Sequence, residues 1–211
     1  MEPKEFHWPF SLIYSSITRF MKPAYYDIAS RMKISETTES LLDMGGGDAR
    51  LSIALAQMYP QLKRIVSVDI SEDMTRRAQS RISHAGLSSI ISASCQDVHK
   101  LTFNDSEFEA VVSFGALHHW KQSNIVFAEA YRVLKPGCKI CVIDGYGRPS
   151  LSQIHKVVKH FGCSFASSIA YWCGSRDVLH RDQISHIVSD ICLPEIKLSF
   201  DELLTTIQCI K

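Results

Sequence analysis

The feature that most constrains this chain is a strict alternation of strand-like and helical segments between residues 41 and 144. Leu41-Leu42-Asp43-Met44 is a short apolar run that meets three glycines. Leu51, Ile53, Ala54, Leu55 and Met58 recur at helical spacing and stop at Pro60. Arg64 to Asp69 is β-branched and strand-like, and Ser71 is placed to cap the helix that follows. Glu72 and Asp73 fall in that helix's first turn and Gly86 lies beyond its end. Ile90 to Ser94 and Ala110 to Phe114 are further strands. Ile125 to Leu134 reads as a helix closed by Lys135-Pro136-Gly137, and Lys139 to Asp144 as a fifth strand. Such alternation requires right-handed crossovers and a mostly parallel sheet covered by helices on both faces.

The end of the chain breaks the pattern. Glu195 to Phe200 alternates polar with apolar residues, and Leu203 to Ile210 follows after two residues. So short a connection forbids a parallel crossover and implies an antiparallel hairpin. The expected fold is therefore α/β: a Rossmann-like, mostly parallel sheet with an antiparallel terminal hairpin. Residues 1–38 read as an N-terminal helical lid segment before a domain spanning 39–211, within which 146–181 is an insert on the substrate side.

Composition narrows the function. With 45% hydrophobic and 21% charged residues among 211, the chain is not of the disordered class. Lys+Arg 23 against Asp+Glu 22 leaves a net charge of +1, so no nucleic-acid partner is expected. No apolar run reaches membrane-spanning length, and the start lacks a secretory pattern. The odd count of seven Cys, without framework spacing, fits a reducing, cytoplasmic setting. Cys138 and Cys141 match C-x-x-C, but on a strand residues three apart point to opposite faces, so no metal site is expected.

Ligands of open α/β sheets sit beyond the carboxyl ends of the strands. After the first strand comes Asp43-Met44-Gly45-Gly46-Gly47-Asp48-Ala49-Arg50. Read from Gly45, the dinucleotide spacing puts Arg50 where a small residue is needed, and no Gly-Lys-Ser/Thr follows for a P-loop. The pattern acid-x-Gly-x-Gly-x-small fits instead. Asp69, after the second strand, can accept both ribose hydroxyls of a nucleoside, or can simply be an acid at a helix start. Ile70 and Met74 can flank a base or pack a helix face. Asp97 can accept from an exocyclic amine while the Val98 N–H donates to a ring nitrogen, or Asp97 can be a solvated turn residue. His118 and His119 can face an acceptor or be satisfied loop histidines.

Together these stretches resemble the class I S-adenosylmethionine-dependent methyltransferases, and most closely their small type 11 group. The resemblance rests on Leu42-Asp43-Met44-Gly45-Gly46-Gly47, Val68-Asp69-Ile70-Ser71, Gln96-Asp97-Val98, Ala116-Leu117-His118-His119-Trp120 and Arg132-Val133-Leu134-Lys135-Pro136-Gly137, in that order. It implies seven strands with a reversed last strand, and S-adenosylmethionine as cofactor without a metal. It places that cofactor against Tyr25, Asp43, Gly45, Gly46, Gly47, Asp69, Ile70, Met74, Gln96, Asp97, Val98 and Phe114. The aromatic over the methionyl end could equally be Tyr26. Ala49 departs from the glycine usual in the family, and a tighter loop is expected there.

The acceptor is expected to be a small molecule. His119, or second His118, is the candidate for orienting or deprotonating it, with Trp120, Asp144, Tyr146 and Trp172 as substrate contacts. Phe6, Phe10, Ile13, Tyr14, Ile17, Phe20 and Met21 recur at helical spacing, as a docked helix or a lid. A monomer or homodimer is expected. A module that binds the cofactor or its demethylated product without turnover is the alternative.

Overall fold

The computed structural model describes residues 22–148, 150–161, 178–201 and 203–211. The N-terminal apolar positions up to Met21, and Trp172 of the insert, lie outside the described residues.

Seven strands form one sheet: β1 (Ser40–Met44), β2 (Arg64–Asp69), β3 (Ile91–Cys95), β4 (Phe108–Phe114), β5 (Leu134–Gly145), β6 (Lys197–Phe200) and β7 (Leu204–Ile210). Their order is β3-β2-β1-β4-β5-β7-β6. β1, β2, β3, β4 and β5 pair in parallel, while β7 runs antiparallel to both β5 and β6. The hairpin is thus inserted with its last strand inside the sheet, and β7 alone is reversed. Among the described residues six α-helices flank the sheet: α1 (Lys22–Arg31), α2 (Arg50–Met58), α3 (Glu72–His84), α4 (Ser123–Val133), α5 (Leu151–Phe161) and α6 (Arg181–Ser189).

Alternate residues of each strand feed opposite core layers, as the two-residue strand period requires. Leu41, Ile65, Ala110, Val112, Cys141 and Ile143 pack with Ile28, Met32, Leu55, Ala78 and Ile82 of the first three helices and the turn after α1. Leu42, Val66, Val111, Ile140, Val142 and Ile207 pack with Val126, Phe127, Val133 and Ile184 of α4 and α6 and its neighbours. The described end of the N-terminal segment is therefore a docked core helix, with Ala29 and Met32 fully buried. Cys141 joins one layer and Cys138 packs against the other, as their spacing on a strand dictates.

Local chemistry explains the element ends. The Ser71 hydroxyl accepts from the Met74 N–H and caps α3, with Glu72 and Asp73 beside the helix's positive end. The end of α4 differs from expectation. The helix before β5 ends at Val133, and Leu134 already pairs with Phe108 as strand. Both are fully buried, so Leu134 continues the apolar pattern of the helix while its backbone belongs to the sheet.

Candidate functional site

The chain reverses its direction across the sheet between β1 and β4, which is where an open α/β sheet leaves a crevice. A line of hydrogen bonds joins the loops at that rim. The Gly46 N–H reaches the Val68 carbonyl at 3.0 Å, and the Gln96 N–H reaches the Asp69 carbonyl at 3.0 Å. The Ser113 hydroxyl donates to the Met44 carbonyl at 2.7 Å, and the Gly115 N–H to the Ile143 carbonyl at 3.0 Å. Five strand ends are thus held as one frame.

Within the frame the three glycines have different reasons to be glycine. A Cβ on Gly45 would stand 2.5 Å from the Ala116 Cβ, and one on Gly46 would stand 2.1 Å from the Ser67 Oγ. Both are excluded by the protein's own packing. Gly47 has φ +55° and its missing Cβ faces open space, so its left-handed backbone and not a neighbour's packing favours glycine there. Ala49 holds φ 63° at the start of α2 while fully buried. The left-handed backbone explains why glycine suits this place, and the Ala49 N–H donates to the Gly46 carbonyl at 2.9 Å.

Carboxylates dominate the crevice. Asp69 accepts from the Gly47 N–H at 3.0 Å with one oxygen and from the Ser71 N–H at 2.9 Å with the other. Burial lifts its pKa, the charge of Asp48 adds to the lift, and the two N–H bonds oppose it. Asp43 is completely buried; one oxygen takes the Ser52 hydroxyl at 2.6 Å, and the other, Oδ1, has no hydrogen-bond partner. Burial pushes its pKa up to about 7 against the Ser52 bond, with the nearby charge of Asp69 reinforcing the rise. Asp97 accepts from the His99 N–H at 2.9 Å and its Nδ1 at 2.6 Å. Burial raises its pKa, but the two His99 bonds outweigh that and hold it below the usual carboxylate range.

The other expected cofactor residues divide. Tyr25 is buried edge-to-face on Phe114 at 5.8 Å, at the end of β4, whereas the Tyr26 hydroxyl turns away to Gln57 of α2. The two tyrosines thus meet different neighbours. Met74 and Val98 are buried and Ile70 is half-buried. The Gln96 side chain is spent on structure: its oxygen accepts from the Thr102 N–H and hydroxyl, and its amide nitrogen donates to the Ser94 hydroxyl.

On the β5 side, Asp144 is buried and accepts from the His118 N–H at 3.2 Å, the His118 Nδ1 at 3.0 Å and the Gly145 N–H at 2.7 Å. A carboxylate only accepts, so it fixes His118 with its proton on Nδ1. The His119 ring lies on that of His118, centroids 3.9 Å apart. Asp144 is thus a support for His118. Trp120 packs edge-on against Phe127 of α4 at 5.8 Å, and Tyr146 meets Phe200 at 5.0 Å.

Two clusters escaped the sequence reading. Asp48, buried behind the glycine loop, takes Arg50 Nε at 3.1 Å and Arg81 Nη2 at 2.8 Å. Arg132 of α4 grips the loop after Asp97: it donates to the carbonyls of Leu101 and Phe103 and to Asp105 and Glu129, while Glu129 accepts the Leu101 N–H. The only signal was Arg132's place in the motif before Pro136.

A family profile described as a methyltransferase domain matches residues 42–142. Over these residues the chain is similar to methyltransferase domains. It is 32% identical over 105 residues to a ubiquinone/menaquinone biosynthesis C-methyltransferase of Hydrogenovibrio crunogenus, covering 49% of this chain and 41% of that protein. An uncharacterized methyltransferase of Mycobacterium bovis is 29% identical over 146 residues, 69% of this chain and 70% of that one. The chain spans about half the length of the quinone-biosynthesis relatives it matches, between 41% and 59% of four of them. In fold it is similar to a proposed S-adenosyl-L-methionine-dependent methyltransferase of Methanococcus maripaludis, at TM-score 0.77 and 23% identity, covering 100% of this chain and 96% of that one.

The crevice fits the family's cofactor. An unpartnered buried carboxylate oxygen suits a nearby ammonium, Gly47 leaves space, and a carboxylate-rich rim suits a cationic nucleoside better than a phosphate. No group of His, Cys, Asp and Glu placed to hold a metal occurs among the described residues, nor a helix long and apolar enough to cross a membrane.

Proposed function

We propose that the protein transfers a methyl group from S-adenosylmethionine to a small-molecule acceptor. The observation that carries this reading is the Asp69–Gly47 bond beside the orphan Oδ1 of buried Asp43, at the point where the sheet reverses order. When bound, the cofactor supplies a methyl group on a positively charged sulfur. Asp69 would hold the ribose, Asp97 and the Val98 N–H the adenine, Asp43 the methionyl ammonium, and Tyr25 with Phe114 the wall beside it. The protein's remaining task is alignment of the acceptor and exclusion of water.

His118 is the group that takes the acceptor's proton in this reading. With its Nδ1 proton held by Asp144, the neutral ring carries its lone pair on Nε2. This favours turnover over a binding-only module, and favours His118 over His119.

Calorimetry with S-adenosylhomocysteine, paired with labelled methyl transfer from S-adenosylmethionine into a metabolite extract, tests both halves. Uptake and a labelled product are expected. His118→Ala should cut transfer by about 10²–10⁴-fold with unchanged S-adenosylhomocysteine affinity. Absence of uptake at millimolar ligand removes the reading, and uptake without transfer leaves the binding-only module.

A further inference from the structure

Beyond the His118–Asp144 pair, the carboxyl end of β5 carries a second chemical feature. Arg181, the first residue of α6, lies with its guanidinium over two aromatic rings: 4.9 Å from the Tyr146 centroid and 4.8 Å from that of Phe200. Its Nη2 donates to the Tyr146 hydroxyl at 2.6 Å, and that hydroxyl donates onward to the Asp201 carbonyl. The Gly147 N–H bonds the Leu179 carbonyl at 2.8 Å, and the Tyr146 N–H bonds the Leu203 carbonyl at 3.3 Å. The chain before α6 and the β6–β7 turn are thereby tied to the end of β5, two residues past Asp144.

Among the described residues no carboxylate forms an ion pair with this arginine. Asp201 is engaged elsewhere, by Arg31 at 2.5 Å and by the N–H groups of Leu203 and Leu204. Other arginines of the fold are paired: Arg50 and Arg81 with Asp48, Arg64 with Glu107, Arg132 with Glu129 and Asp105. A cation in the first turn of a helix is disfavoured by the helix dipole, so the stack and the tyrosine hydroxyl hold it there. The two rings and the Tyr146 hydroxyl flank the guanidinium, and its other N–H groups belong to a planar fork that matches a carboxylate or a phosphate.

We propose that Arg181 binds an oxyanion of the methyl acceptor, so that the acceptor is a small molecule carrying a carboxylate or phosphate at the end away from the methylated atom. This assignment of the acceptor rests on the methyltransferase reading. Tyr146 and Phe200 are positioning residues that fix the plane of the fork. An anion seated there holds the acceptor by a remote group, so its loss weakens acceptor binding while the proton-accepting His118 stays in place.

The arginine Nε–H resonances of the S-adenosylhomocysteine-saturated protein report on this directly. Inorganic phosphate and acetate are titrated separately to about 50 mM at constant ionic strength, a range that captures millimolar dissociation constants. One resonance, assigned by its loss in Arg181→Gln, is expected to shift saturably. Tighter phosphate binding would mark a phosphorylated acceptor, and comparable acetate binding a carboxylate acceptor. Tyr146→Phe, which keeps the ring and removes the hydroxyl, should weaken the response several-fold. A linear drift matching that produced by chloride, with either anion, overturns the proposal. S-adenosylhomocysteine uptake in calorimetry is scored separately: its failure with a normal anion response removes the methyltransferase reading alone, and its success with no anion response removes the anion site alone.

Discussion

Glycine repeats look uniform in a sequence, yet here each residue answers to a different neighbour. Gly46 is pressed against Ser67 and Asp43, where a methyl group would stand 2.1 Å and 2.9 Å from their oxygens. Gly47 meets nothing within 4 Å and pays only for its positive φ. Two substitutions should therefore separate folding from binding. Gly46→Ala should destabilise by more than about 3 kcal/mol or prevent folding, because neither the strand hydroxyl nor the buried carboxylate can retreat. Gly47→Ala should cost about 1–2 kcal/mol in denaturant unfolding, the left-handed penalty, yet weaken S-adenosylhomocysteine by more than tenfold, since the added carbon enters the ligand's space. Equal loss of stability in the two variants, or unchanged affinity in the second, contradicts this division.

At the scale of elements, the loop between β3 and β4 is shaped by a helix it does not touch in sequence. Arg132 of α4 closes over residues 101–105 with hydrogen bonds to two carbonyls and one carboxylate, and Glu129 holds both Arg132 and the Leu101 N–H. The Arg132 bonds hold Glu129 below the usual carboxylate range despite its partial burial. Arg132→Ala should accelerate amide hydrogen exchange across 97–105 and weaken the cofactor several-fold, with a stability loss of about 1–3 kcal/mol. Arg132→Lys should restore little, because a point charge cannot reproduce the planar fork. Normal protection at 97–105 in the alanine variant contradicts the account. The same loop shows where sequence reading reaches and where it stops. β2 was legible to its ends because it is buried on both faces and reads as an unbroken β-branched run, and the Ser71 cap because capping is local. β3 is an edge strand with exposed Ser92 and Cys95, so its pattern is weak and its start falls one residue later than expected. Asp69 and Gly47 were legible as candidates because each sits just past a strand end, but the bond between them was not. The grip of Arg132 and the support of His118 by Asp144 join residues 26 or more apart with no periodicity to mark them, and nothing in the chain's order could show which histidine the carboxylate takes.

For the whole molecule, the consequence of a buried carboxylate is a pH-dependent fold. Asp43 lies under the glycine loop where the two core layers meet the crevice, and it keeps its proton up to about pH 7 in the folded state. In the unfolded chain it gives that proton up near pH 4. Between these values the folded state holds more protons, so stability falls as pH rises from about 4 to 7 and levels off above. Some three pKa units set an upper bound of about 4 kcal/mol. Asp69, also raised by burial, acts in the same direction. Urea unfolding of the unliganded protein should thus give greater stability at pH 5 than at pH 8, and Asp43→Asn should flatten the profile. A cationic ligand reverses the preference, because an ammonium beside Oδ1 favours the ionised form. S-adenosylhomocysteine should then release a proton on binding near pH 7, seen as a calorimetric heat that varies with buffer, and should bind about tenfold more tightly at pH 8 than at pH 6. Parallel pH profiles for wild type and Asp43→Asn, with no proton release, would show that Asp43 neither holds the proton in the free protein nor faces the cation in the complex.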